Sequence, residues 1–187
     1  MSNYLNTNVL LENYKNLYRS KYFIDKSLII DSLNQLLNTS DKYVCITRPR
    51  RFGKSSIASM IGAYYSKAVK SKEIFDNLKI SSSETYIENL NKYNVISISF
   101  NEIPDNMKSY DDYINMIRTQ LIRDITEKYT YIKADKYFNI SSMLMDTQEK
   151  FIFIFDEWDY IFNNNMFVEN QNDFLEFLRN LLKDQPY

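Results

Sequence analysis

Histidine is absent from the 187-residue chain, and cysteine occurs once, at Cys45. A single thiol excludes an internal disulfide framework, and one sulfur without any imidazole argues against a zinc site. Neither charge sign prevails: 23 basic side chains stand against 24 acidic ones, a formal net charge of −1. Nucleic acid as the main partner is therefore not supported, and no acidic tract marks a disordered tail. No apolar run approaches membrane-spanning length, and the N-terminus lacks the charged-then-apolar pattern of a secretory signal. The expectation is a cytoplasmic protein with no membrane partner. Glycine is scarce as well, with only Gly53 and Gly62, beside three prolines. A glycine set directly before Lys-Ser is then more informative than in an average chain.

What is present is an alternation of short apolar runs and amphipathic stretches. Residues 43–47 read as a short buried strand leading into a helix with Ile57, Met60, Ile61, Tyr64 and Ala68 on one face. Residues 95–100 read as a second strand, with Ile96, Ile98 and Phe100 alternating against Ser97 and Ser99. An amphipathic helix follows through Tyr113, Ile114, Ile117, Leu121 and Ile125. Residues 151–155 are five apolar positions ending in acids, the pattern of a parallel strand covered on both faces. A last helix carries Phe174, Phe177, Leu178, Leu181 and Leu182, and residues 28–37 predict a helix ahead of the first strand. No repeat or linker divides the chain, so residues 1–187 read as one domain with residues 1–20 as lead-in. The predicted fold is an α/β three-layer sandwich on a parallel sheet.

The segment Thr47-Arg48-Pro49-Arg50-Arg51-Phe52-Gly53-Lys54-Ser55 matches G-x-x-x-x-G-K-[ST] at its last three fixed positions and fails at the first, where Arg48 stands. A polyphosphate needs a ring of backbone N–H donors at a helix start, where unpaired amides and the helix dipole favour anions. The expected phosphate contacts are Arg50, Arg51, Phe52, Gly53, Lys54, Ser55 and Ser56. Lys54 would reach the β- and γ-phosphates, and the Ser55 hydroxyl would ligate Mg²⁺. Alone, Gly-Lys-Ser is a tripeptide that occurs by chance at helix starts. Its place between a strand-like run and an amphipathic helix makes it a P-loop candidate.

Asp156 and Glu157 close the run 151–155, at the strand end where open α/β sheets bind ligands. Asp156 would hold Mg²⁺, and Glu157 would orient and polarise the water that attacks the γ-phosphate. Around these positions, Cys45 and Trp158 read as packing residues. Tyr22 and Phe23 suit a core better than a base-stacking role.

At these residues the chain resembles the bacterial AAA-ATPase-like proteins, which often carry a PD-(D/E)XK nuclease-like region after the ATPase domain. The resemblance rests on Tyr22-Phe23-Ile24-Asp25-Lys26-Ser27, on Ile46 through Ser55, on Ile74-Phe75-Asp76-Asn77-Leu78-Lys79-Ile80, on residues 95–100 and on Phe155-Asp156-Glu157-Trp158-Asp159. In that family an arginine at the first glycine position is ordinary. The resemblance implies ATP as ligand, Lys54 and Ser55 on phosphate and metal, and Asp156 with Glu157 as the Walker B pair. It also implies a further strand between those of residues 43–47 and 151–155, followed by a γ-phosphate sensor. Neither is expected within the 187 residues, so the expected sandwich is incomplete at the C-terminus and the chain is expected to be aggregation-prone or weakly folded, with little or no ATPase activity.

The expected function is ATP binding with Mg²⁺-dependent hydrolysis, an enzyme only where the complete domain is present. A nonhydrolytic ATP-binding or interaction module, with self-association or a protein partner, is the alternative. A small nucleotide kinase is disfavoured, because it needs no water-activating carboxylate beside the metal ligand.

Overall fold

The Tyr-, Phe- and Ile-rich stretches collapse into two units, residues 6–96 and residues 1–5 with 97–187. The computed structural model describes residues 2–47, 49, 51–104 and 107–182.

In the first unit, helices α1 (Val9–Tyr18), α2 (Leu28–Leu36), α3 (Lys54–Tyr65), α4 (Lys72–Phe75) and α5 (Tyr86–Asn89) surround an aromatic core. Tyr14 stacks on Phe75 at 5.4 Å between ring centres, and Tyr64 meets Phe75 edge-on at 5.3 Å. Such rings bury large apolar area, but their hydroxyls need partners inside the protein. Buried Asn34 supplies them for Tyr64 and Tyr65. Its Oδ1 accepts from the Tyr65 hydroxyl at 2.7 Å, and its Nδ2 donates to the Tyr64 hydroxyl at 3.3 Å and to Thr85 Oγ1 at 2.9 Å. The Tyr64 hydroxyl donates in turn to the Tyr86 carbonyl at 2.7 Å, and burial pushes its phenol up to about 12.

Helix α3 begins at Lys54 and is buried from Ile57 to Tyr65 with the partial exception of Ala58. The predicted face is correct at Ile57, Met60, Ile61 and Tyr64, but Ala68 is exposed beyond the helix end. The cause is a competing pairing: Ser66 turns extended and bridges Tyr93 in parallel, with Tyr93 N–H donating to the Tyr65 carbonyl at 2.9 Å and Lys67 N–H to the Tyr93 carbonyl at 2.8 Å.

Residues 43–47 correct the sequence reading more sharply. They form no strand, Tyr43 and Val44 are 55% and 48% exposed, and Cys45 is an exposed free thiol instead of a packed one. An apolar run becomes a strand only when a neighbour satisfies its ladder, and among the described residues the sheet comprises two other strands. Tyr22, expected in the core, is 82% exposed, whereas Phe23 packs edge-on against Tyr18 at 5.2 Å.

Residues 97–99 of β1 (Asn94–Ser99) and all of β2 (Phe151–Asp156) fall in the second unit, and the two strands form a small parallel two-stranded sheet. Its helices are α6 (Tyr110–Lys128), α7 (Ile140–Asp146), α8 (Tyr160–Asn163) and α9 (Gln171–Leu182). Tyr113, Ile114, Ile117, Leu121 and Ile125 are all buried along α6, as their spacing predicts. Phe174, Phe177 and Leu181 do the same in α9, with Leu178 and Leu182 half-buried. The α6 start is capped by the Ser109 hydroxyl, which accepts from Asp112 N–H at 3.1 Å. Buried Asp124 on α6 accepts three backbone N–H groups, from Asn3 (3.2 Å), Tyr4 (2.7 Å) and Leu5 (3.0 Å), fastening the N-terminal segment. In β2 only Phe151 and Ile154 are fully buried, so the expected cover on both faces is not found. Two strands give helices too little surface to enclose. The architecture is mixed α/β, and no helix among the described residues is long and apolar enough to cross a membrane.

Gly62 offers a test of the α1–α3 packing. A Cβ there would lie 2.1 Å from Leu10 Cδ1 and 3.1 Å from its Cβ and Cγ. The Leu10 tip can rotate, but its Cβ moves only with the helix. Gly62→Ala is therefore expected to lower unfolding stability by about 1–3 kcal/mol despite the better helix propensity of alanine, measured by urea denaturation. An unchanged midpoint would show that α1 shifts without cost.

Candidate functional site

The site is built on the start of α3. The opening N–H groups of a helix lie outside its own hydrogen-bond ladder and sit at the positive end of its dipole. Here no acidic side chain occupies the first turn, and the residue before the helix is Gly53, at φ +81° and ψ +31°. That left-handed conformation is cheap for glycine and strained for any side chain. Ile57 N–H donates to the Gly53 carbonyl at 3.0 Å, closing the first helical turn. Arg51 is left-handed too, at φ 68°, and as a non-glycine stores about 1–3 kcal/mol of strain. Phe52 N–H donates to the Pro49 carbonyl at 3.4 Å, which folds the loop back before the helix.

Six of the seven expected phosphate contacts are thus consecutive and described: Arg51 and Phe52 exposed, Gly53, Lys54 and Ser56 half-buried, and Ser55 exposed in the first turn. Arg50, the seventh, and Arg48 lie outside the described residues. Burial begins at Ile57, so the first turn lies nearer the surface than the rest of the helix.

One contributor escaped the sequence reading. Lys26 extends to the loop, with Nζ 3.5 Å from the Phe52 carbonyl oxygen and 3.7 Å from where a Gly53 Cβ would stand. Its neighbours hold it there. Asp25 Oδ1 accepts from Ser27 N–H at 2.8 Å, Asp25 Oδ2 accepts from Lys79 N–H at 2.8 Å, and the buried Ser27 Oγ accepts from Ile80 N–H at 3.1 Å. Lys79 and Ile80 open a 3₁₀ turn (Lys79–Ser82), so residues 25 and 27 cap that turn from a distant part of the chain. Burial opposes ionisation of Asp25, but the hydrogen bonds from Lys79 and Ser27 outweigh it and hold the carboxyl below its usual range. Two segments quoted for the resemblance, around residues 22–27 and 74–80, are thereby one interlocked structure. The signal in the sequence was the Asp-Lys-Ser triplet, with two hydrogen-bonding residues flanking a lysine.

Asp156 and Glu157 belong to the other unit. Asp156 ends β2, its carbonyl accepts from Phe100 N–H at 3.0 Å, and its Oδ1 accepts from Glu157 N–H at 3.1 Å. Glu157 adopts φ 52°, a left-handed position unusual for glutamate. Strain of this kind persists only where the surroundings impose it, and it turns the chain sharply at the strand end. Trp158 packs edge-on against Phe162 at 6.2 Å while remaining 39% exposed.

A family model described as a predicted AAA-ATPase matches residues 9–185. The chain belongs to this AAA-ATPase-like family. No curated protein and no solved structure matches it. The match covers both units of the AAA-ATPase-like chain and includes the loop, the Lys26 segment and the acidic pair. The family description points to an ATP-related function in general terms.

The capping arrangement in this AAA-ATPase-like protein is itself testable. Ser27→Ala leaves the buried Ile80 N–H without its acceptor and is expected to cost about 1–3 kcal/mol, read as a lower midpoint in chemical denaturation. Full retention of stability would mean that another group satisfies the amide.

Proposed function

We propose that this chain binds Mg·ATP through the loop 48–56 and hydrolyses it, as part of a P-loop ATPase domain. The observation that carries the reading is left-handed Gly53 at the head of a helix with no acid in its first turn, followed by Lys54 and Ser55. Backbone N–H groups at the head of α3 bind the phosphate oxygens, and the Lys54 ammonium adds a point charge on the β- and γ-phosphates. The side-chain oxygens of Ser55 and Asp156 are hard donors suited to Mg²⁺, which binds through few protein ligands plus phosphate and water. When bound, that cation neutralises developing phosphate charge.

Glu157 orients a water whose oxygen forms a bond to the γ-phosphorus as the bond to the β–γ bridging oxygen breaks. The water's proton passes to the Glu157 carboxylate, and ADP and inorganic phosphate leave. The left-handed turn at φ 52° is backbone strain of the kind that clusters at functional positions and supports this role.

Lys54→Ala is expected to weaken binding of Mg·ATP by about 10- to 100-fold, the loss of one charge-assisted contact. Titration calorimetry reads it, with circular dichroism confirming the fold. Equal affinity in the folded variant would contradict the assignment. Glu157→Gln keeps the shape but lacks the basic carboxylate, and its hydrolysis rate is expected to fall by about 100-fold or more with ATP affinity within about threefold of the parent. Release of phosphate at the parental rate would show that another group activates the water. Tight binding without phosphate release from the parent itself would favour the nonhydrolytic module.

A further inference from the structure

We propose that Lys26 is a second phosphate-binding cation of the loop, presented to it by the Asp25 and Ser27 caps on the 3₁₀ turn. The inference rests on the reading of the loop as an ATP site and adds to it a residue outside the loop motif. Three observations within the unit of residues 6–96 carry it.

The first is position. Lys26 Nζ lies 3.5 Å from the Phe52 carbonyl and 3.7 Å from the Cβ site of Gly53. It therefore stands beside the residue whose missing side chain lets a phosphate approach the backbone. The second is valence. An ammonium has three donors, and the carbonyl engages it at the outer limit of hydrogen-bond length. That contact leaves donors for an anion and places their charge at the loop. The third is restraint. A lysine side chain has a long, flexible stem, and a charge at its end is costly to order. Here the backbone on both sides is fixed, by Asp25 on Ser27 and Lys79 N–H and by Ser27 on Ile80 N–H. The Lys26 carbonyl accepts from Ile29 N–H at 3.2 Å, which ties Lys26 to the start of α2. Part of the ordering cost is thus already met in the folded protein.

Phosphate recognition demands a cation that tracks the number of phosphates in the ligand. A lysine that merely tied the loop to its surroundings would affect every nucleotide alike. Lys26 is exposed and its substitution is expected to move the melting temperature by no more than about 2 °C. Asp25 is a positioning residue in this scheme, since it acts on ligand only through Lys26.

The test is titration of the full chain with Mg·ATP, ADP and AMP, comparing the parent with Lys26→Ala, Lys26→Arg, Lys54→Ala, Asp25→Ala and the Asp25→Ala/Lys26→Ala double variant. Expected for Lys26→Ala is a loss of about tenfold for ATP, the effect of one charge-assisted contact, and less than about twofold for AMP. Lys26→Arg, which keeps the charge, should recover most of the ATP affinity. Asp25→Ala should weaken ATP binding in the parent and have no further effect once Lys26 is alanine. Parental ATP affinity in Lys26→Ala, while Lys54→Ala loses it, overturns the inference and leaves the ATP reading intact. Equal losses for ATP and AMP also overturn it, because they mark a structural role. Absence of nucleotide binding by the parent overturns both.

Discussion

Burial of α3 from Ile57 onward constrains everything nearby. A helix whose later turns are enclosed by Tyr14, Phe75 and Tyr86 cannot slide or rotate without opening the aromatic core. Its first turn, Lys54–Ser56, is consequently held at the surface in a fixed orientation, and the chain must enter it through the left-handed turn at Gly53. The Tyr64 and Tyr65 hydroxyls in that core are joined through Asn34, which fixes their rings, whereas the buried Tyr14 hydroxyl has no partner among the described residues. Gly62 belongs to the same arrangement, since its bare backbone allows α1 to lie close along α3.

A second set of hydrogen bonds extends this rigidity to the neighbouring chain. Asp25 and Ser27 each accept one of two consecutive amides, those of Lys79 and Ile80, and the lysine between them is left facing the loop. Side chains that satisfy helix-start amides ordinarily come from the preceding residue. Here they come from more than fifty positions away, so the capping interaction also ties separate segments together. The family resemblance in residues 22–27 and 74–80 acquires a physical meaning from this contact.

Much of the helical architecture was legible because amphipathic spacing is a local signal. Tyr113 through Ile125 and Phe174 through Leu181 lie buried as their periodicity predicts. The loop was legible for a different reason: with only two glycines in the chain, Gly53 before Lys54 and Ser55 stands out against its background. Residues 43–47 were misread because a strand depends on a partner that local sequence does not specify, and Tyr43, Val44 and Cys45 are exposed instead. Ala68 was misplaced for a related reason, the bridge of Ser66 to Tyr93 ending the helix early. Lys26 was overlooked because its relation to Phe52 spans 26 positions and no periodic pattern announces it. The left-handed turn at Glu157 was equally silent, since nothing in Asp-Glu-Trp distinguishes a strained corner from an ordinary strand end.

The central claim is that the start of α3 is the phosphate site, and amide hydrogen exchange reads it directly. On addition of Mg·ATP, peptides covering residues 51–57 should exchange more slowly, because bound phosphate oxygens occupy the opening N–H groups of the helix. Peptides from the buried part of α6, residues 117–125, serve as the internal reference and should be unchanged. Unaltered exchange across residues 51–57 at saturating nucleotide, or protection centred elsewhere in the chain, would contradict the account.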